Sequence, residues 1–252
     1  MAQVIGIANT KGGSGKTTTA RELSYHLSQH GRVLAIDLDP LAALTKTFGL
    51  EIDAVTHSFA SVVRKPNPAR LIDVIIYKTP SLAIVAGSRD LSIADAYLKE
   101  QPNGAYALRK ALEDVKQAFD FVVIDTQGAA GKLIENAIVA ADTLLIPFRP
   151  QGEDILVLSE FVELLNAASE IRATPIDHIA FLPIGYRGTN QHREAVEVVK
   201  DFGYQILAPI KDTTKLGEAA TQGLALAEWD KSNPRIEEYA AVTTQVRSWV
   251  KT

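Results

Sequence analysis

The sequence contains no cysteine. Disulfides, thiolate zinc sites and cysteine-ligated iron–sulfur clusters are thereby excluded, which suits a reducing cytoplasm. No uninterrupted apolar run approaches the roughly 18 residues that a membrane span needs. The apolar start VIGIA runs straight into a glycine loop, so no signal peptide is expected. Neither sign of charge dominates. The 26 basic and 30 acidic residues give a formal net charge of −4, which argues against wholesale coating of nucleic acid and leaves room for a local basic face. The five histidines (His26, His30, His57, His178 and His192) lack the spacing of metal ligands. Repeats, low-complexity tracts and linkers rich in Pro, Gly or Ser are missing too, so residues 1–252 read as one domain. What remains is 46% hydrophobic and 22% charged, the composition of a soluble globular protein.

Strand-like and helix-like stretches alternate along the chain, which predicts an α/β fold with a mostly parallel sheet covered by helices on both faces. Gln3–Ala8 reads as the first strand, followed by RVLAID, the region around LAIVAG, FVVID, TLLIPF, IAFLPI and a shorter YQILAPI. These runs are nearly continuous in apolar residues, as strands buried on both faces must be. Between them lie helical patterns, such as Ala20, Leu23 and Leu27, and Ile155, Leu158, Val162 and Leu165. Val63 to Pro80 is the most irregular stretch and reads as an insertion or a loop over the sheet.

Three segments point to one site. In ANTKGGSGKTTTA, Gly15, Lys16 and Thr17 fit the end of the phosphate-loop pattern G-x-x-x-x-G-K-[ST], while Thr10 occupies the place of its first glycine. Gly12, Gly13 and Gly15, with Ser14 between them, let backbone N–H groups curl around phosphate oxygens, and the following helix adds its positive end. Lys16 should reach the β- and γ-phosphates of ATP, Thr17 should ligate Mg²⁺, and Thr18 should complete the cradle. AIDLDP places Asp37 and Asp39 at a strand end, where open α/β sheets bind ligands. Of this pair, one carboxylate is expected to hold a magnesium water and the other to orient the attacking water, with Asp37 assigned to the metal and Asp39 to catalysis. FDFVVIDTQG carries a third carboxylate, Asp125, placed to bind Mg²⁺ through water. Thr126-Gln127-Gly128 then forms a turn able to sense the γ-phosphate.

A loop written K-G-G-x-G-K-T followed by a D-x-D strand end resembles the ParA/MinD group of deviant Walker-A ATPases, P-loop NTPases by fold. In the last third, TTKLGEAATQGLALAEWD is similar to the ParA stretch in which a basic residue precedes L-x-E-A. The resemblance implies a homodimer that sandwiches ATP. Lys16 would serve its own nucleotide, and Lys11 would match the signature lysine that reaches the partner's phosphates and acts in catalysis. It further implies Pro209 as a nucleotide contact, a ParB-like adaptor that stimulates hydrolysis, and a cytoplasmic, nucleoid-associated protein that positions a cargo. Two departures touch the switch regions: Thr126-Gln127 stands where Pro-Pro is common, and Leu41 replaces a common glutamine. Dethiobiotin synthetase and its kind usually lack the K-G-G signature, while nitrogenase iron protein and tail-anchored-protein targeting ATPases rely on cysteines. The phosphate loop begins about ten residues in, so an N-terminal helix-turn-helix domain is not expected.

The surface separates DNA from membrane as the site of action. ParA proteins carry DNA-contacting basic residues in the final third, where this chain has Arg187, Arg193, Lys200, Lys211 and Lys215. Non-specific DNA binding is therefore expected, although nine acidic residues match the nine basic ones from Arg187 onward. The alternative is a MinD-like regulator of division-site or pole placement, anchored by a C-terminal amphipathic helix. Here that end carries an apolar stripe of Ile236, Tyr239, Val242, Val246 and Trp249, with Asn233 as cap and Pro234 as first residue. Only Arg247 and Lys251 are basic late in it, which reads as a packing helix rather than a lipid anchor.

Overall fold

The apolar runs become the strands of a nine-stranded sheet. In chain order these are β1 (Gln3–Ile7), β2 (Val33–Leu38), β3 (Ile75–Thr79), β4 (Leu82–Val85), β5 (Phe121–Thr126), β6 (Thr143–Phe148), β7 (His178–Tyr186), β8 (Gln205–Ile206) and β9 (Ile210–Lys211). The computed structural model describes residues 2–52, 57–64 and 68–249. Across the sheet the order is β3-β4-β2-β5-β1-β6-β7-β8, with β9 also paired to β7. Every pairing is parallel except that of β3 with β4.

The helices of the first half are α1 (Lys16–Ser28), α2 (Ala43–Thr47), α3 (Phe59–Val63), α4 (Leu91–Lys99), α5 (Ala107–Leu112) and α6 (Lys132–Ala140). The second half adds α7 (Gly152–Glu170), α8 (Asn190–Lys200), α9 (Lys215–Thr221), α10 (Leu226–Trp229) and α11 (Arg235–Ser248). Strand residues alternate between the two faces. Leu34, Ile36, Val122 and Ile124 pack with Leu98, Leu108 and Leu133 on one face. Val33, Ala35, Val123 and Leu145 pack with Leu23 and Leu27 of α1 and Tyr239, Val242 and Val246 of α11 on the other. Farther along, Leu144, Ile146 and Phe148 meet Leu158, Phe161 and Leu165 of α7. The expected P-loop NTPase architecture, a mostly parallel sheet between helical layers, is what forms.

Two expectations need correction. The stretch from Val63 to Pro80 is not all loop: Ile75–Thr79 forms β3, an antiparallel edge strand on β4. Its residues are half-buried or, at Tyr77 and Thr79, exposed, so the apolar run that marks the inner strands is absent. Residues 65–67 of that stretch lie outside the described set. YQILAPI is not one strand but two short ones, β8 and β9, both paired with β7. Pro209, which has no N–H to give to a ladder, lies in the break.

The C-terminal stripe is packed rather than free. Tyr239, Val242 and Val246 are buried, and Trp249 stacks on His178 with ring centroids 5.0 Å apart. The helix starts one residue later than expected, at Arg235, whose N–H is accepted by Asn233 Oδ1 at 3.1 Å. No helix among the described residues is long and apolar enough to cross a membrane.

Helix α1 also carries a fully buried ion pair. Arg21 and Glu22 meet at 2.6 Å, and both side chains are closed off from solvent. Arg21 Nη2 donates to Leu216 O in α9 at 3.0 Å, and Glu22 accepts the N–H of Leu226 at the start of α10. Backbone from the last third of the chain thus answers part of both charges, as a buried pair requires if it is not to cost several kcal/mol, while Arg21 Nη1 is left without a hydrogen-bond partner.

Among the described residues only Ala42 combines a side chain with a positive φ, +51°. It precedes α2 and is fully buried. A left-handed L-residue costs about 1–2 kcal/mol, of which the extra unfolded-state entropy of glycine offsets about half. Ala42→Gly is therefore expected to stabilise the protein by about 0.5–1 kcal/mol. Thermal melts should show a rise of about 2–3 °C, and a fall would refute the strain assigned to this position.

Candidate functional site

Strands β2, β5 and β1 are neighbours, and their ends are in register: Ile7 and Asp37 each lie opposite Asp125. That adjacency brings together three segments spread over more than a hundred residues of chain. The loop from Ala8 to Gly15 leaves β1 and turns into α1, with Gly13 at φ +74° and Gly15 at φ +89°. A Cβ on Gly15 would fall 1.8 Å from Ile184 Cδ1, so any other residue here would be strained in φ and would have to push that side chain aside. Asn9 fixes the loop's start, giving its amide N–H to Pro147 O at 2.8 Å and accepting the N–H of Lys11 at 2.9 Å. On the other side, a Cβ on Gly128 would meet Gly12 Cα and N at 3.0 Å, so the turn after β5 lies directly on the phosphate loop.

The result is a cleft of about 760 Å³ lined by Gly12, Gly13, Gly15, Lys16, Thr17 and Thr18 of the loop, Asp39 and Leu41 after β2, Thr126 to Ala129 after β5, and Arg149 after β6. Lys16 is buried, and its ammonium donates to Lys11 O at 2.8 Å and weakly to Ser14 Oγ at 3.4 Å. Burial pushes its pKa below the usual lysine value, while Asp125 and Asp39 oppose that shift. An anion placed in the loop would restore the balance in favour of the charged amine.

Thr17 Oγ1 donates to Asp125 Oδ2 at 2.8 Å, so two of the three residues assigned to magnesium meet directly. Asp125 is fully buried, and its Oδ1 has no hydrogen-bond partner. Desolvation, with Asp37 nearby, raises its pKa well above the carboxylate range. Among the described residues no group of three or more His, Cys, Asp or Glu gathers as a metal cage. A hard cation at Thr17 and Asp125 therefore needs further oxygens, which a nucleotide's phosphates and water supply.

Asp37 differs in situation from the other two carboxylates. Its Oδ1 accepts Asp39 N–H at 3.0 Å, and its Oδ2 accepts both the N–H and the hydroxyl of Thr45 at 2.8 and 2.7 Å. Three of about four acceptor positions are thus spent on the loop that carries Asp39. Burial pushes its pKa up to about 6, against the pull of these hydrogen bonds. Gly87 closes the arrangement: its N–H donates to Thr45 Oγ1, and a Cβ there would fall 2.8 Å from Asp37 Cγ. Asp39 lines the cleft, its Oδ1 accepting the N–H of Leu41 at 2.8 Å. Leu41 itself is 72% exposed at the rim.

Lys11 does not face solvent freely. Its ammonium forms an ion pair with Asp154 in the first turn of α7. Asp154 Oδ2 accepts Arg149 N–H at 3.1 Å, and Arg149 Nε donates to Gly13 O at 3.0 Å. Neither Arg149 nor Asp154 was visible from sequence, because RPQGED matches no phosphate-binding pattern. The one available signal was their place just after the β6 end, beside the cleft. Thr126, a departure from the usual Pro-Pro, donates its hydroxyl to Ile7 O at 3.0 Å and so ties β5 to β1. Pro209 is half-buried and outside the residues that line the cleft.

The basic residues of the final third are only partly gathered. Arg187 follows β7 and pairs with Asp212 at 2.7 Å, and Lys211 is in register with Tyr186 next to it. Arg193 Nη2 donates to Gly188 O at 2.8 Å, which brings it to the same end of β7. Lys200, two turns farther along α8, pairs with Glu197, and Lys215 pairs with Glu218.

Both raised carboxyls give a pH signature. A folded-state pKa above the unfolded one contributes stability that is present below about pH 4 and lost as pH rises through the folded value, about 6 for Asp37. The nucleotide-free protein should therefore lose stability from this source across that window. Asp125→Asn removes one of the two buried charges. It should melt a few degrees above the parent protein at about pH 7.5, with a smaller difference at about pH 4. Equal melting temperatures at about pH 7.5 would contradict the assigned burial cost.

The same cleft residues fall within the region matched by known proteins. A family model described as AAA domain matches residues 2–176. Maintenance of carboxysome distribution protein A of Synechococcus elongatus is 30% identical over 228 residues, which cover 87% of this chain and 90% of that protein. Sporulation initiation inhibitor protein Soj of Bacillus subtilis is 29% identical over 254 residues, 98% of each chain. The solved structure of a Cyanothece McdA–ATP complex superposes with a TM-score of 0.87 at 24% identity, covering 100% of this chain and 98% of that one. Since the family match and the full-length relatives all run through the segments that build the cleft, the chain belongs to the ParA/MinD family of P-loop ATPases.

Proposed function

We propose that this protein hydrolyses ATP as a sandwich dimer, binds duplex DNA without sequence preference in that state, and positions a cargo over the nucleoid through an adaptor protein of the ParB kind. The observation that carries this reading is the second loop lysine. Lys11 gives its backbone to the phosphate loop, but its ammonium points to Asp154 and away from the cradle that Lys16 occupies. A cation so placed has a use where triphosphate charge is enclosed between two subunits. The carboxysome-distribution and Soj relatives support a positioning role.

In this reading Lys16 and the loop amides hold the phosphates, and Thr18 adds its hydroxyl or amide beside them. Thr17 and Asp125 hold magnesium, which when bound offsets phosphate charge. Asp39 orients the attacking water from the open side of the cleft, and Asp37, itself fixed by Thr45, keeps Asp39 in place by accepting its backbone N–H. Pro209 enters only if the loop between β8 and β9 closes toward the nucleotide. The packed α11 leaves no free apolar stripe for a lipid surface, so DNA is favoured over membrane.

Nucleotide titration with light scattering tests the core of the proposal. Lys16→Ala should lose ATP binding. Lys11→Ala should bind ATP and stay monomeric, and Asp39→Ala should bind and dimerise without turnover. A Lys11 variant that dimerises as well as the parent protein would sink the sandwich.

DNA binding is tested by its salt dependence. Log affinity of the ATP-bound form should fall against log salt with a slope of about −0.9 per phosphate contact. Lys215→Ala removes one contact per subunit, so the slope should flatten by about two units per dimer while ATP binding is unchanged. ATP-dependent sedimentation with anionic liposomes but not with DNA would replace this reading with the membrane one.

A further inference from the structure

Lys11 and Asp154 form a contact that the sandwich reading does not use and in fact has to break. Lys11 is held at three points within its own chain. Its N–H goes to Asn9 Oδ1, its carbonyl accepts Lys16 Nζ, and its ammonium sits on Asp154. The Asp154 side chain is only 4% exposed, while that of Lys11 is 27% exposed. The carboxylate is therefore a fixed, enclosed acceptor, and the lysine reaches it from the rim of the cleft.

We infer that Asp154 is an autoinhibitory latch: it occupies Lys11 in the monomer and competes with the partner's nucleotide for it. The inference rests on the proposal that Lys11 acts across a dimer interface. The physics is a choice between two anions. With no triphosphate on the partner, the lysine keeps the carboxylate at home, and a dimer gains nothing from it. A triphosphate offers several negative charges and draws the lysine across.

Asp154 can tolerate the departure. Its Oδ2 keeps the Arg149 N–H, and its place in the first turn of the 19-residue helix α7 sets it against the helix's positive end. A carboxylate without those partners would make release too costly for repeated cycling. After hydrolysis and loss of phosphate, the same carboxylate recaptures the lysine and favours separation. The latch also explains how one short loop bears Lys11 and Lys16 five residues apart, since each has a different acidic neighbour: Asp154 for the first, Asp125 and Asp39 for the second.

Asp154→Asn tests the latch with little change of shape. Asparagine keeps an acceptor for Arg149 N–H and suits a helix first turn, but it no longer neutralises Lys11. With ATP and magnesium, the variant should dimerise at about one-tenth the protein concentration or less. That corresponds to about 1.4 kcal/mol or more. Its ATP affinity as a monomer should be unchanged, which also reports that the variant is folded. The double variant Lys11→Ala with Asp154→Asn should remain monomeric, because the latch acts only through the lysine.

Dimerisation of Asp154→Asn that equals or falls below that of the parent protein, with ATP binding intact, overturns the latch and makes Asp154 a support that aims Lys11. Should Asn prove unstable, Asp154→Ser removes the same charge and is read in the same way. The sandwich reading fails separately, if the parent protein with ATP scatters as a monomer at every concentration.

Discussion

The burial of like charges at the ends of two central strands is the constraint on which this molecule turns. Asp37 and Asp125 stand opposite each other on hydrogen-bonded strands, both without solvent. Nothing in the strands themselves stabilises such a pair. The loops that surround them are arranged to answer it: Thr45 and the Asp39 N–H for Asp37, and Thr17 with the nearby Lys16 for Asp125. Asp125 Oδ1 is still left without a partner. The nucleotide-free site is thus electrostatically incomplete, and a magnesium–phosphate group is the kind of ligand that completes it. Binding strength is drawn from a cost already built into the fold.

Much of this was legible in the order of residues. Apolar runs ending in Asp37 and Asp125, and a glycine loop between β1 and α1, are local patterns with local causes, so sequence sufficed to place them. Parallel pairing follows from strand and helix alternation, and it brings the three segments together without further information. What could not be read was anything decided by long-range packing. The Lys11–Asp154 pair joins residues 143 apart in the chain, and RPQGED has no periodicity that marks Asp154 as enclosed. The hydrogen bonds that Asp37 accepts are equally hidden, because residue type and position do not reveal partners. Its engagement with Thr45 depends on how the chain folds back through Ala42. The edge strand β3 is hidden from sequence for a related reason. An edge need not be apolar on both faces, and only the inner strands announce themselves by composition.

The departures from the family pattern can now be given physical meaning. Thr126 does with a hydroxyl bonded to Ile7 O what a rigid turn would do by conformation, namely fix the end of β5 against β1. Leu41 projects from the rim beside Asp39 as an apolar side chain where an amide is common. That stretch of the rim offers an apolar contact instead of a hydrogen-bonding one. The nucleotide cradle behind it is unaffected.

The buried Arg21–Glu22 pair reaches beyond the site. Both side chains sit one turn into the helix that begins with Lys16 and Thr17, yet their backbone partners are Leu216 and Leu226. During synthesis the phosphate-loop helix therefore emerges carrying two charges whose shelter is made some two hundred residues later. Until that segment arrives, α1 cannot settle onto the sheet without exposing or stranding them. The last third of the chain is in this sense a closing piece: it sets when the nucleotide site first becomes competent in the life of each molecule.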